Sequence, residues 1–523
     1  MASEKASHLA TDIEHVPHGR NRAAEAEPRT STTFDDLRKV TTVDTVHNDE
    51  ATKVLASYTG DEHWTPEEEK LLVRKIDRRL LPLLILTYGL QYYDKAMLSQ
   101  AAIFGLRRDL SLSTGNRYSM SASIFYLGFI CGATPAVIMA QRFPIERVAS
   151  GIVLVWGVCL MCTAACHNFQ SLYAQRFFLG LLESGVSPMF MLIVSGFYLK
   201  TEQALRMGAW YCATGYVSIF APLINYGLGH IQGALSPWKY MYLVAGAITI
   251  LWSIVILFYM PPDPIRMRGL SDRERYIAVA RMRVNNAGVR NTHFKWKQAV
   301  EVLYDIRFWI VFAIAFLMMI ANGPVSSFIP IIINDFGFST LNSLLLVMPA
   351  GAIIGTVELL APYLAYKFPG IRTYLVFACQ LGTITASVLL WQLPRNGSTG
   401  AKLFACYILA TFGGGYAVLM GVQTANTAGY TKKSVTASGI FLGYCLGNFV
   451  GPLLFKPADA PGYAPGWEAT VITAVLAAVL ALVYRFVCMW ENKRRDKIGA
   501  EGFDHAYEDD LTDMKNPQFR YQL

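Results

Sequence analysis

Twelve long apolar segments are the feature that most constrains the fold of this 523-residue chain. Each is long enough to cross roughly 30 Å of hydrocarbon as a helix. Only 16% of the residues are charged, against about 25% in soluble domains, so we expect most of the chain to lie in lipid. Numbered 1 to 12 in chain order, the segments have predicted cores at 80–100, 119–140, 148–166, 171–197, 206–229, 239–260, 308–333, 342–366, 371–392, 401–423, 434–455 and 467–490.

Lysine and arginine residues divide unequally between the two ends of the segments. With the N-terminus placed inside, 27 lie near the inner ends and 7 near the outer ends. Because basic residues collect in cytoplasmic loops, this bias predicts that both termini are cytoplasmic. A glycosylation sequon at Asn396 falls in a predicted outer loop, which agrees with that orientation.

The residues before segment 1 predict a tail followed by a helix. Residues 1–64 are polar and poor in aromatic residues, a composition typical of a disordered tail, and they contain no signal peptide. Thr65 then has the position of an N-cap, Pro66 follows at the first helical position, and Glu68 completes a capping box. The next apolar residues repeat at helical spacing opposite basic ones, which predicts an interfacial helix leading into the bilayer.

The linker 261–307 divides the segments six and six, and the halves repeat one another. The connection between segments 2 and 3 reads AQRFPIER at 140–147, and the one between segments 8 and 9 reads AYKFPGIR at 365–372. Tyr198-Leu199-Lys200 and Tyr430-Thr431-Lys432 form a second such pair. A parallel repeat of this kind predicts a substrate site between the halves near the middle of the membrane. The predicted regions are a disordered cytoplasmic tail 1–64, a first half 65–260, a cytoplasmic linker 261–307, a second half 308–490 and a cytoplasmic tail 491–523.

Segment 4 is apolar but contains an arginine and a glutamate. Arg176 and Glu183 share a helix face and lie about 10 Å apart along the axis. Gly180 lies between them on that face and is expected to leave room beside the charges. Ionisable groups at membrane depth are costly and normally face a bundle interior or a water-filled cavity, so the pair is a functional candidate. The alternative is a static salt bridge that locks two helices.

Segment 1 supplies two more charges, Asp94 and Lys95. Counted from Leu80, Asp94 lies about 21 Å along the helix, in the outer third of the membrane. Arg176 lies at the same depth, so we expect Asp94 to pair with it. Glu183 lies nearer the middle.

These four charged residues are neutral in sum and become net positive when one carboxyl is protonated. A bound anion would then compensate the set, because a lone buried charge is very unfavourable. Burial favours the neutral form of a carboxyl and a neighbouring cation favours the ionised form, so the two acids could differ in protonation. We therefore predict proton coupling at Glu183 and Asp94. Lys95, Arg176 and Tyr92 are predicted to bind the anionic substrate.

Two asparagines are further candidates for the substrate site. Asn448 lies beside a stripe of glycines in segment 11 that predicts close helix packing: Gly439, Gly443, Gly447 and Gly451. It could bind substrate or bond to another helix. Asn322-Gly323-Pro324 interrupts segment 7, as a broken helix that lines a cavity or as a simple proline kink. Glu358 in segment 8 is expected nearer the inner surface, where it snorkels or pairs.

Catalytic and metal-binding motifs have little support in the chain. It contains no P-loop, HExxH or GxSxG motif, so neither an enzyme nor an ATP-driven pump is indicated. Cys159, Cys162 and Cys166 share a face of segment 3, but no histidine accompanies them at that depth, so we expect packing residues and no metal. No cofactor is expected, and a proton gradient would supply the driving force.

The architecture resembles the major facilitator superfamily. Asp94-Lys95 with the R-x6-E element of Arg176 and Glu183 resembles its anion:cation symporter branch. Lys95 stands where arginine is usual, which keeps the charge but loses the bidentate grip on a carboxylate. Longer stretches are similar to the fungal allantoate permease family: WKYMYLVAGAITILW at 238–252, PPDP at 261–264, AGYTKKSVTASGIFLGYCLGNFVGPLLF at 428–455 and DLTDMKNPQFRY at 510–521. This chain departs from the superfamily's acidic-basic loop motif at Gln141 and Pro144, where aspartate and glycine are expected.

The resemblance implies an all-α membrane protein whose twelve transmembrane helices form two six-helix pseudo-repeats, the major facilitator fold. It implies a monomeric plasma-membrane symporter that imports a small organic anion with protons, and no nucleic-acid partner. The implied substrates are ureides such as allantoate and ureidosuccinate, nicotinate or other vitamin-like carboxylates, and small peptides. A family member that moves a specialised metabolite, as importer or exporter, and a nutrient sensor that does not transport remain alternatives.

Overall fold

A computed structural model describes residues 58–60, 63–231, 233–286, 295–394, 397–498 and 511–523. Most of the predicted tail 1–64 and the predicted glycosylation acceptor Asn396 lie outside these ranges. Within them the regular structure is helical, with no strand.

Every predicted segment lies in a helix or in a run of consecutive helices. In the first half, segments 1 to 6 are formed by Pro66–Ala101, Arg117–Arg142, Ile145–Cys162, Phe169–Glu183 with Val186–Phe197, Lys200–Tyr211 with Ala213–Gly229, and Pro237–Tyr259. The linker contributes Asp272–Asn286 and Trp296–Tyr304. In the second half, segments 7 to 12 are formed by Ile306–Ile320 with Asn322–Ser327 and Ile329–Asp335, Thr340–Leu345 with Met348–Lys367, Arg372–Gln392, Thr399–Ile408 with Phe412–Asn426, Tyr430–Leu453, and Ala464–Ile498.

Eleven helical stretches of the described chain are long and apolar enough to cross a membrane. Segment 1 is not among them, because its helix carries charged residues at both ends, including Asp94 and Lys95 within the predicted core. The prediction of an all-α membrane protein is confirmed.

Segment 1 begins with the cap that its sequence predicts. Thr65 Oγ1 accepts a hydrogen bond from the Glu68 backbone N–H at 3.2 Å, and the Glu68 carboxylate accepts one from the Thr65 N–H at 2.9 Å. The helix then runs without a break from Pro66 to Ala101. The predicted interfacial helix is therefore the first part of the segment 1 helix and not a separate element.

The two repeated connections have matching structures. The helix of segment 2 ends at Arg142 and the next begins at Ile145, whereas the helix of segment 8 ends at Lys367 and the next begins at Arg372. In both, the chain leaves the helix at the phenylalanine of the repeated sequence, because the proline that follows disfavours helical backbone at the residue before it. The second connection also contains Gly370 with φ +81°, a conformation that favours glycine.

The linker identifies one end of the bundle, which we call the linker end; the opposite end is the far end. Helix Asp272–Asn286 docks on the first half through Arg281, which is 2% exposed. Its guanidinium contacts Glu69 at 3.4 Å and Glu202 at 3.2 Å, and it donates to the Phe197 carbonyl. The linker is thus fastened to the starts of segments 1 and 5.

The C-terminal residues 511–523 dock on the second half at the linker end. Asp513 is 1% exposed and lies 2.9 Å from Lys432 and 3.0 Å from Arg307. Arg495 of segment 12 donates to the backbone carbonyls of three tail residues: Asp513, Asn516 and Phe519. The tail is therefore a packed part of the second half.

At the far end the halves are joined through segment 2. Tyr118 donates its hydroxyl to the Ser327 carbonyl of segment 7, and Ser119 donates to the Phe455 carbonyl at 2.6 Å. The Tyr118 ring also meets Phe328 edge-on, with centroids 5.2 Å apart. A buried hydroxyl without a hydrogen-bond partner is unfavourable, and these two have their partners only while the halves are in contact. The two hydrogen bonds therefore stabilise the contact between the halves at the far end.

The glycine stripe of segment 11 packs against segment 7. A methyl group on Gly447 would overlap the Phe316 carbonyl, and one on Gly451 would crowd the Ile320 carbonyl. The predicted helix packing is confirmed, and both partners belong to the second half. Segment 7 is broken as its Asn-Gly-Pro sequence predicts, into three helices that end at Ile320, Ser327 and Asp335.

Candidate functional site

Segment 4 buries both of its charged side chains. Arg176 is 3% exposed and Glu183 is fully buried. Glu183 is the last residue of the first helix of the segment, and Ser184 and Gly185 lie between it and the second helix. Both of these residues keep right-handed helical backbone angles, so the segment continues as one helical stretch from Phe169 to Phe197.

Gly180 does not leave room beside the charges, so that expectation is wrong. A methyl group there would overlap the Phe125 carbonyl of segment 2. Gly128 and Gly132 of segment 2 approach the segment 4 backbone in the same way, at the carbonyls of Phe177 and Leu181. The physical reason is helix packing: small residues let two backbones approach closely.

Asp94 and Lys95 are adjacent in segment 1 but face different surroundings. Asp94 is fully buried inside the first half, beside the indole of Trp156 in segment 3. Lys95 is half-buried, with Nζ 5.0 Å from the centre of the Tyr126 ring, and it faces Cys445 of segment 11. Lys95 therefore lies at the boundary between the halves, whereas Asp94 lies within one of them.

We call Asp94, Lys95, Arg176 and Glu183 the first-half charge cluster. Arg176 and Glu183 lie within electrostatic range of each other, of Asp94 and of Lys95. It does not form the expected ion pair between Asp94 and Arg176. Among the described residues, both carboxylate oxygens of each acid and the Nε and Nη1 atoms of Arg176 are buried without a hydrogen-bond partner.

Unpaired buried ions are costly, so this cluster is electrostatically incomplete. Protonation of a carboxyl removes part of the cost, and an anion beside the two cations removes another part. The arrangement can therefore bind an anion and a proton together. The static salt bridge considered as an alternative is not what the described residues form.

Two neighbours of the cluster give no signal in the sequence. Trp156 is fully buried, and its indole N–H approaches Asp94 without a hydrogen bond of good geometry. Gln91 donates its side-chain amide to the Glu183 backbone carbonyl at 3.0 Å and so ties segment 1 to segment 4. A tryptophan or glutamine inside an apolar segment looks like a packing residue until its neighbours are known.

Tyr92 lines a small cavity between the two halves. Its walls carry hydroxyl and amide groups from segments 1, 5 and 7: Ser99, Gln100, Ser218 and Ser326. The remaining wall is apolar and comes from segments 7 and 8, including Ile329 and Ile354. The cavity lies between the halves, where the repeat predicts a substrate site, and the broken part of segment 7 forms part of its wall.

Asn322 and Asn448 are bonded to one another. The Asn322 amide donates to Asn448 Oδ1, and the Asn448 amide donates to the Tyr444 carbonyl at 2.8 Å. Of the two alternatives for Asn448, the structure has the bond between helices, here segments 7 and 11. The amide group of Asn322, and both the amide group and the side-chain oxygen of Asn448, therefore form hydrogen bonds within the second half.

Glu358 neither snorkels nor forms an ion pair among the described residues. Its side chain is buried, at 9% exposure, and Oε2 lies 2.6 Å from the Thr214 hydroxyl of segment 5. The prediction that Glu358 snorkels or forms an ion pair is wrong, because depth along a helix does not tell which side of the helix faces the other half.

A family model and curated relatives agree on the kind of protein. Residues 84–455 match the model of the Major Facilitator Superfamily. The chain is 36% identical to the uncharacterized transporter C417.10 of Schizosaccharomyces pombe, covering 88% of this chain and 90% of that one. It is 34% identical to the allantoate permease of Saccharomyces cerevisiae, over 96% and 95% of the two chains. The thiamine pathway transporter THI73 of the same yeast is 30% identical, over 89% and 88%.

Solved structures share the fold at low sequence identity. A bacterial homologue of the human lysosomal transporter Spinster, inward-facing and unoccupied, gives a TM-score of 0.58 at 15% identity, covering 81% of this chain and 97% of that one. The partially occluded inward-open xylose transporter XylE of E. coli gives 0.59 at 15% identity, covering 77% and 97%.

Proposed function

The chain belongs to the Major Facilitator Superfamily, and from this we propose that it is a secondary active transporter that imports a small organic anion together with protons. As a member of this family it is a transporter and not an enzyme. We further propose that it works in the plasma membrane as a monomer, with both termini in the cytoplasm and with the proton gradient in place of a cofactor.

The observation that carries the proposal is the set of buried polar atoms in the first-half charge cluster that the described residues leave unpartnered. With both acids ionised the cluster is neutral; with one protonated it has a net charge of one positive unit. An anion is then the group that restores neutrality in a site of low dielectric constant. Proton and anion are each favoured by the presence of the other, which is the thermodynamic condition for symport.

Each charged residue has a proposed role that follows from its surroundings. Lys95, at the boundary between the halves, meets the anion first, and Arg176 offers it two free N–H groups. Glu183, which is fully buried and has no hydrogen-bond partner for either carboxylate oxygen among the described residues, carries the proton. Asp94 acts on Arg176 through its charge, because the two are not hydrogen-bonded.

The polar groups around the cavity would recognise the rest of the substrate. Tyr92 supplies a hydroxyl in the cavity wall. The Asn322–Asn448 pair would act by fixing segments 7 and 11 around the bound molecule.

The relatives narrow the choice of substrate without deciding it. One is named an allantoate permease and another a thiamine pathway transporter. We therefore propose ureides such as allantoate and ureidosuccinate first, then nicotinate and other vitamin-like carboxylates, and then small peptides. All of these carry a carboxylate that the cations can hold.

The test is uptake into liposomes that contain the purified protein. Labelled allantoate, nicotinate and a dipeptide are offered with the outside more acidic than the lumen. Accumulation that a protonophore abolishes supports import by symport. Uptake that requires an acidic lumen would identify a proton-antiporting exporter, and binding without flux would identify a sensor. In intact cells, an epitope at residue 30 should be protected from external reagents if the N-terminus is cytoplasmic.

A further inference from the structure

Segments 5 and 8 form a tight seam between the two halves. A methyl group on Gly215 would overlap the backbone of Gly355, and one on Gly351 would crowd Ser218. These glycine contacts lie near the middle of both segments, and Thr214 and Glu358 lie on the linker-end side of them, with Glu358 nine residues before Lys367. Because the two backbones touch at Gly215 and Gly355, there is no room for water between them at this point.

Glu358 lies in this seam, three residues beyond Gly355 on the same helix. Its carboxyl Oε2 is 2.6 Å from Oγ1 of Thr214. A methyl group on Gly413 of segment 10 would crowd the other carboxyl oxygen. The carboxyl is thus held between a hydroxyl of the first half and a glycine of the second.

The hydroxyl of Thr214 has two acceptors within reach but only one proton. Its Oγ1 is 2.9 Å from the Tyr211 carbonyl, in the same segment, and 2.6 Å from Glu358 Oε2. A protonated Glu358 satisfies both contacts, because the carboxyl donates to Thr214 while Thr214 donates to Tyr211. An ionised Glu358 cannot donate, so one of the two contacts is then left without a proton.

The groups around Glu358 would not stabilise a negative charge. The titratable groups that face it are Tyr88 and Tyr92 of segment 1 and Tyr211 and Cys212 of segment 5. These are neutral phenols and a thiol, and among the described residues no lysine or arginine faces it. A lone carboxylate in a dry seam carries a large desolvation cost, which water can relieve only if the seam opens.

We propose that Glu358 is a protonation-dependent latch between the two halves: the neutral carboxyl holds segments 5 and 8 together, and loss of its proton opens the seam toward the linker end. The latch is separate from the proton carrier proposed at Glu183, because it lies in the other half and its partner is a hydroxyl. The latch makes the end at which the substrate site opens depend on whether Glu358 is protonated, whichever anion is carried.

The test measures the distance between the halves as a function of pH. Fluorophores are attached to bio-orthogonal amino acids at Phe143 and Phe368, which are exposed and equivalent in the repeat, so that the native cysteines stay unlabelled. Measured from about pH 4 to about pH 9, a range that covers carboxyls from exposed to fully buried sites, the separation should lengthen as pH rises. Glu358→Gln, which is neutral and still able to donate, should keep the short separation at every pH.

Three further variants keep the test decisive. Thr214→Val removes the partner hydroxyl and should lengthen the separation even at low pH, and Thr214→Ser should restore it. Glu183→Gln should lose pH-driven uptake but keep the pH-dependent separation, so failure of the latch and failure of the proposed symport give different results. A Glu358→Gln protein whose separation still lengthens with pH as in the unmodified protein would overturn the latch, as would an unmodified protein whose separation does not change.

Discussion

Lys432 in the second half lies within 3.1 Å of three carboxylates, whereas Arg176 in the first half has two buried N–H groups with no hydrogen-bond partner among the described residues. The carboxylates around Lys432 belong to Glu301, Asp305 and Asp513, and two of them also hold Arg307. We call these five residues the second-half charge cluster. Both clusters are buried, but only one is complete.

The difference separates charges that hold the structure together from charges that respond to a ligand. A buried ion that already has its partners gains little from an added anion or proton. The free energy of a buried ion that lacks its partners changes whenever an anion or a proton binds beside it. We therefore expect substitutions in the first-half charge cluster to impair substrate binding and proton coupling. Substitutions in the second-half charge cluster should instead lower the stability of the fold.

The largest effect is expected for the first-half cations. Arg176→Ala or Lys95→Ala removes one of the two charges that compensate the anion, and each should weaken substrate binding at least about 100-fold, the scale of losing one member of a buried charge pair. Equilibrium binding of the labelled substrate measures this. Arg307→Ala is the control from the second half and should keep near-normal affinity. Unchanged affinity in either first-half variant would make that cation structural.

Removing the proton carrier should uncouple transport without preventing binding. Glu183→Gln imitates the protonated acid, so it should still exchange substrate across the membrane in counterflow but lose accumulation driven by a pH gradient. Asp94→Asn should instead strengthen anion binding, roughly tenfold, because the cluster then carries one positive unit without taking up a proton. Intact pH-driven accumulation by Glu183→Gln would move the carrier to another acid.

In the second half the expected effect is on stability. Asp513→Ala takes one carboxylate from both Lys432 and Arg307, and breaking a buried pair in this way costs about 3–5 kcal/mol. Thermal unfolding in detergent measures the loss. Asp496→Ala is the matched control, since it breaks an exposed pair with tail residue Arg520 and should cost less than about 1 kcal/mol. Equal losses in the two variants would mean that burial of the tail contributes nothing.

The smallest effect is expected at the docked linker, and it depends on pH. A hydrogen bond from Arg273 is the main reason that the pKa of Glu68 falls from 4.5 to about 2. The ionised form therefore stabilises the docked linker fully above pH 4.5, and this contribution is lost as the pH falls toward 2. Melting temperatures of the unmodified protein and Glu68→Gln should differ above pH 4.5 and converge on acidification. A difference that is the same at all pH values would exclude this charge effect.

Features that depend on local chemistry could be predicted from the sequence. The cap at Thr65, the break in segment 7 and the contact made by the glycine stripe all follow from rules that act within a few residues, and all are present. The two repeated connections could be predicted because the sequence itself repeats. The segment boundaries follow from apolarity and length.

Features that depend on direction around a helix could not be predicted. Counting residues gives the depth of Asp94, Arg176 and Glu358 but not the neighbour that each one faces. For this reason the pair of Asp94 with Arg176 was expected and is not formed, and Glu358 was expected to snorkel or pair but bonds to Thr214 in the seam. The expectation that Gly180 leaves room beside the charges was wrong for the same reason, because the backbone of segment 2 occupies the space beside it.

The docked tail has a consequence for the order in which the protein matures. The linker helix that carries Arg281 follows segment 6 directly, so the first half has its brace as soon as ribosomal synthesis has passed that helix. Asp513 is synthesised 81 residues after Lys432 and 206 residues after Arg307, and until then both cations lack one of their carboxylates. Because chains fold from the N-terminus during synthesis, the second half reaches its final packing last, after the ribosome has added the residues that complete it.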